Sequence, residues 1–80
     1  MHVSVHSLKK TLFDGEAVSL NCKTASGEIT ILDHHRPLVS VIEKGIIKIV
    51  DKSNQEHYIP VSSGFLEATS DNATKLIVEE

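Results

Sequence analysis

The chain holds one cysteine, Cys22, no tryptophan, one tyrosine and two phenylalanines among its 80 residues. A single thiol excludes an intrachain disulfide. With neither a Cys-x-x-Cys nor a His-x-His pattern, the five histidines lack the usual spacing of a zinc site, and they are expected on the surface. Aromatics make up only 4% and the net charge is −3, so there is no basic, aromatic-studded surface, and nucleic-acid binding is not expected. No apolar run approaches the roughly 18 residues of a membrane span, which speaks against direct membrane insertion. The opening "MHVSVHSLKK" lacks the long apolar core of a signal peptide, and the chain is expected to work in a reducing compartment, most simply the cytoplasm. No Gly-x-Ser-x-Gly elbow and no phosphate-cradling glycine loop occurs. Catalysis therefore has no visible apparatus, and no catalytic residue, metal or cofactor is expected.

What the chain has in abundance is alternation. "HVSVHSL" sets Val3 and Val5 against His2, Ser4 and His6, and "EAVSLNCK" sets Val18, Leu20 and Cys22 against Ala17, Ser19, Asn21 and Lys23. Ile29 and Ile31, Val39 and Val41, Ile47 and Ile49, and Ile59 and Val61 repeat the pattern, and "GFLEATS" and "TKLIVE" close the series. Isoleucine and valine at period two are the mark of half-buried strands. Turn signals part the runs at Asp14-Gly15, Ser26-Gly27, Asp33 to Pro37, Lys44-Gly45, Lys52 to Gln55, Ser63-Gly64 and Ser70 to Asn72. Such spacing predicts an all-β fold, a small β-sandwich of roughly eight to ten short strands spanning residues 1–80 as a single domain. The expected core is Val3, Val5, Val18, Leu20, Ile29, Ile31, Val39, Val41, Ile47, Ile49, Ile59, Val61 and Leu66, with Cys22 as a small core residue. Pro60 interrupts a strand pattern and predicts an edge strand or a bulge.

Two stretches invite chemistry. Lys52, at a hairpin tip in a small all-β chain, is where lipoyl- or biotin-carrying domains present their modified lysine. Those domains have two quasi-symmetric halves, which this sequence lacks. The carrier remains the alternative reading, beside a solvated turn lysine. The second stretch is "ILDHHRPL", Ile31 to Leu38. His34 and His35 are neighbours and point to opposite faces of an extended chain, so they do not converge on a metal.

The order of motifs resembles the epsilon subunit of F-type ATP synthases, specifically its amino-terminal β-sandwich. The family's Phe-x-Gly turn appears as Phe13, Asp14, Gly15, its Gly-Glu as Gly27 and Glu28, and its Pro-Gly-His-x-Pro-Leu loop as Asp33 to Leu38. Lys44-Gly45, Ser63 to Ala68 and Asn72-Ala73-Thr74 follow in register. Asp33 and His34 stand where the family usually has Pro-Gly, Arg36 replaces a small residue, and Ser63 replaces a glycine. The resemblance implies a non-catalytic rotor-stalk subunit that binds the gamma subunit and sits on the ring of c subunits. Its place would be peripheral, at the cytoplasmic face of the membrane. Glu28, Asp33, His34, His35 and Arg36 are the residues it puts toward the c-ring, where a carboxylate such as Glu28 suits an arginine of the ring's polar loop. The Asp-x-x-Arg spacing within "ILDHHRPL" mimics an ATP-binding motif of some epsilon subunits. That motif belongs to helices, and Pro37 disfavours one here. The family usually continues into two carboxy-terminal helices, and this chain stops after "LIVEE". The 80-residue form is therefore expected not to inhibit hydrolysis by inserting helices.

Overall fold

Alternation becomes eight strands and no helix in the computed structural model, which describes all 80 residues, Met1–Glu80. The strands are β1 (His2–His6), β2 (Thr11–Thr24), β3 (Gly27–Leu32), β4 (Leu38–Ile42), β5 (Gly45–Asp51), β6 (Glu56–Val61), β7 (Ser63–Thr69) and β8 (Ala73–Glu79). They form two layers. One runs β1-β8-β7-β4 and the other β3-β2-β5-β6. β1 and β8 pair in parallel, and the other pairings are antiparallel. The long strand β2 belongs to both layers: its first half pairs with β1 and its second half with β3 and β5. A single pairing of Thr24 with Ile42 joins the layers again at β4. β6 pairs only with β5, and Pro60, which has no N–H to offer a further strand, sits on that edge as expected.

The core lies between the layers. Val3, Val5, Leu20, Cys22, Ile31, Ile47, Ile49, Val61 and Leu66 are buried there as expected, and Ile29 and Ile59 pack against them half-buried. Burial of the Cys22 thiol pushes its pKa up to about 11, which leaves it protonated and unreactive at neutral pH. Gly64 lets β7 approach β8 closely: a Cβ there would lie 2.6 Å from the Ile77 carbonyl oxygen and 3.0 Å from Val78.

The structure corrects three expected core residues. Val18, Val39 and Val41 are exposed. At Val18 the cause is an irregularity in β2, where Ala17 pairs with Asp51 but Ser19 already pairs with Val50. The extra residue reverses the strand's parity, so Ala17 and Leu20 both point inward and Val18 points out. In β4 the inward residue at the joined corner is Ile42, which pairs with Gly64 and Thr24. Alternation then sends Val41 and Val39 outward. Met1, Ala17, Ile42, Ala68, Leu76 and Val78 complete the core. The Asp14-Gly15 turn is also corrected. Both residues continue β2 opposite Ser4 and Val3, because strand pairing overrides local turn preference. The reversal occurs earlier, at Ser7–Lys10, where the Ser7 hydroxyl accepts the Lys9 and Lys10 N–H groups at 3.3 and 3.2 Å.

Candidate partner-binding surfaces

Two surfaces stand out, and they arise from different rules of strand geometry. The first is the loop from Asp33 to Pro37, between β3 and β4. The amino group of Met1 donates to the Ala17 carbonyl oxygen at 3.0 Å and to Asp33 Oδ1. That ammonium, helped by the Asn72 amide, holds the Asp33 carboxyl below the usual carboxylate range. His34 adopts a left-handed backbone, φ 59°, and its N–H donates to Asn72 Oδ1 at 2.7 Å. His35 Nε2 lies 3.1 Å from the hydroxyl of Thr74. Asp33, His34 and Arg36 are exposed, and His35 is half-buried. Around the same end, His2 is held between Asp14 (2.6 Å) and Glu16 (3.1 Å). Those carboxylates, Glu16 foremost, raise its pKa above the ordinary histidine value.

Glu28 is not part of that cluster. It sits at the opposite end of β3, paired in register with Lys23. Asp33 lies five positions further along the chain, about 17 Å at the usual rise per residue. The two sites are nonetheless joined by β3 itself, whose only partner is β2. Neither the Glu28 carboxylate nor the Arg36 guanidinium enters an ion pair within the chain, so the exposed edge strand ends in unengaged charge at both extremities.

The second surface includes two residues, Val39 and Val41, that the sequence pattern assigns to the core. On the outside of the β1-β8-β7-β4 layer, His6, Ile77, Phe65 and Val41 face one another in one row across four strands. In the adjacent row stand Ser4, Lys75, Glu67 and Val39. Ile77 is 55% exposed, Phe65 63%, Val41 47% and Val39 73%. Leu8, at the tip of the β1–β2 turn, is 97% exposed and lines a shallow groove with Phe65 and Ile77. An antiparallel layer normally turns polar residues to solvent. Four large apolar side chains cluster on one outer face, with a fifth beside them, the kind of patch that serves protein contacts. The signal was present in the sequence: β4 can be read in either parity, because Leu38 and Ile42 are as apolar as Val39 and Val41.

Lys52 lies in the β5–β6 turn, exposed, with its Nζ 4.0 Å from Glu16 Oε1. The turn is fastened by Asp51, whose Oδ1 accepts the Ser53 and Gln55 N–H groups at 2.9 Å each. The Asp51 Oδ2 is 2.8 Å from His57 Nε2.

Comparison with known proteins bears on the family and the fold. Residues 1–79 match the family described as ATP synthase, Delta/Epsilon chain, beta-sandwich domain. The ATP synthase epsilon chain of Bordetella avium is 40% identical over 76 residues, covering 95% of this chain and 54% of its own. That of Protochlamydia amoebophila is 28% identical over 72 residues, covering 90% and 49%. The chain thus spans about half the length of the curated relatives it matches. Among solved structures, the mitochondrial ATP synthase of Euglena gracilis contains a chain that superposes with a TM-score of 0.90 at 16% identity, over 98% of this chain and 49% of that one. The central stalk and c-ring of the Tetrahymena thermophila mitochondrial enzyme contains another, with a TM-score of 0.82 at 20% identity, over 100% and 63%. These two likenesses establish the sandwich fold.

Proposed function

The chain belongs to the β-sandwich family of ATP synthase delta and epsilon chains, and from that premise we propose that it is a non-catalytic subunit of the rotor's central stalk. In this role it joins the gamma subunit to the c-ring and supports the coupling of ion flow to ATP synthesis and hydrolysis, peripherally at the cytoplasmic face of the membrane. The observation that carries the reading is the family match along residues 1–79. The two solved neighbours come from assemblies that include a c-ring, which supports it. The carrier alternative at Lys52 gains nothing from these matches.

The two surfaces divide the work. The apolar face of Val39, Val41, Phe65 and Ile77 binds gamma, because its burial supplies the affinity that a stalk under torque requires. The β3 edge faces the ring with Glu28 at one end and Asp33, His34, His35 and Arg36 at the other. A protein contact of about 800 Å² per partner is about 30 Å across, so one ring surface reaches both ends of β3. Polar groups at such a rim each contribute about 0.5–2 kcal/mol.

The test is coupling. In vesicles reconstituted with the complete enzyme, the double change Glu28→Ala with His35→Ala lowers the ratio of ions pumped to ATP hydrolysed, while the subunit stays folded and bound to gamma. Pumping at the wild-type ratio would remove β3 from the ring contact. Loss of gamma binding instead would mean that the wrong surface has been turned toward the ring.

A further inference from the structure

We propose that Asn72, in the turn between β7 and β8, is a positioning residue that sets the shape of the ring-facing loop. The proposal rests on the reading of that loop as the ring contact. His34 is an L-residue in the left-handed region, which residues other than glycine adopt uncommonly, histidine more often than most. Something must hold it there. Asn72, 38 residues along the chain, accepts the His34 N–H on Oδ1 at 2.7 Å. Its Nδ2 faces Asp33 Oδ1 at 3.4 Å, and its own carbonyl oxygen accepts the His2 N–H at 3.0 Å. Two residues on, the buried Thr74 meets His35. Three consecutive loop residues are thereby attached to the start of β8 and its turn.

The bond at His34 reaches the backbone and ignores the imidazole. It would hold a glycine equally well, and glycine is the residue that the family resemblance places at this position. With histidine there, the acceptor on Asn72 supports a backbone that glycine would adopt without strain and histidine adopts less readily. A loop fixed before it meets its partner loses less conformational freedom on docking. Asn72 therefore favours the ring contact without touching the ring.

The rival account is that Asn72 serves only its own turn, since it too has a positive φ, 61°. Glycine adopts that backbone at least as readily, so Asn72→Gly keeps the turn and removes only the side chain. Asn72→Asp keeps an acceptor for the His34 N–H but sets its second carboxylate oxygen against Asp33, so it rescues the bond to His34 alone. Amide hydrogen exchange is measured on the full natural subunit, and the ratio of pumping to hydrolysis on the reconstituted enzyme. For Asn72→Gly, exchange at His34 rises at least tenfold while β7 and β8 stay protected, and the coupling ratio falls. Asn72→Asp restores slow exchange at His34 and part of the coupling, the repulsion from Asp33 taking the rest. Unchanged exchange at His34 would overturn the proposal, as would loss of protection throughout β7 and β8, which would make the role purely structural. A released loop with wild-type coupling would remove the positioning role and leave the rotor reading standing. If the wild-type subunit itself restores no coupling to a depleted enzyme, the rotor reading falls and takes the proposal with it.

Discussion

The two outer faces of the sandwich are made by the same alternation, yet they carry different chemistry. Outside β3-β2-β5-β6, the exposed Val18, Leu32, Ile46 and Tyr58 are interrupted by polar groups that find one another. Asn21 donates to the Thr30 hydroxyl at 2.9 Å, and Lys48 pairs with Glu56 at 3.2 Å. Outside β1-β8-β7-β4, Ile77, Phe65 and Val41 form an unbroken apolar row with Val39 beside them. Inside, both layers are equally apolar because both bury their inner faces in one core. The difference shows that burial within the chain does not account for all the apolar residues. The two faces differ in arrangement: one sets its apolar residues side by side, and the other separates them with hydrogen-bonded polar groups.

Four changes probe that contrast, beginning with the largest effect. Ile49→Ala empties a site in the core beneath both faces and should cost roughly 2–5 kcal/mol of stability in urea unfolding. It removes the support of both faces alike and so separates folding from docking. Next, Phe65→Lys with Ile77→Glu places charge in the apolar row as a cross-strand pair of opposite sign. Gamma binding should weaken by about thirty- to a thousandfold, some 2–4 kcal/mol, with little change in the melting temperature because both residues are already exposed. A titration of gamma by calorimetry reads this directly. On the polar face, Lys48→Ala should change stability by no more than about 0.5 kcal/mol, as exposed ion pairs do, and should leave gamma binding unaltered. The smallest effect is acid-dependent. The Tyr58 hydroxyl, and then Lys48, hold the Glu56 carboxyl below its ordinary value near 4.5. Its contribution is therefore complete above pH 4.5 and disappears as pH falls through the lower folded value. Melting curves of Glu56→Gln and wild type should differ by a constant amount from pH 8 to 5 and converge below 4.5. Gamma binding by the apolar face should not follow that titration.

The sequence made the fold legible where burial alone fixes the pattern. Val3, Val5, Leu20, Ile47 and Ile49 follow period two without interruption, and Pro60 marks its edge. It misled where another cause produces the same pattern. An apolar outer face alternates just as a core face does, so Val39 and Val41 read as core. A single irregular residue in β2 reversed Val18, and one residue is too little to see in a run of eight. Glu28 and Asp33 could have been separated by counting strand residues, but motif order along the chain placed them together. Asn72 and His34 meet only through the fold, across 38 residues, and no local pattern announces such a pair.

The central claim is that the apolar face, and not the polar one, is covered in the working assembly. Cys22 is buried with a protonated thiol, so one added surface cysteine reports alone. Phe65→Cys and Tyr58→Cys place such reporters on the two faces, both at well-exposed positions. Maleimide labelling is timed for the isolated subunit and again after assembly with gamma. The account predicts labelling at least tenfold slower at position 65 on assembly and unchanged at position 58. Equal rates at position 65 before and after assembly, or protection at position 58 instead, would contradict it.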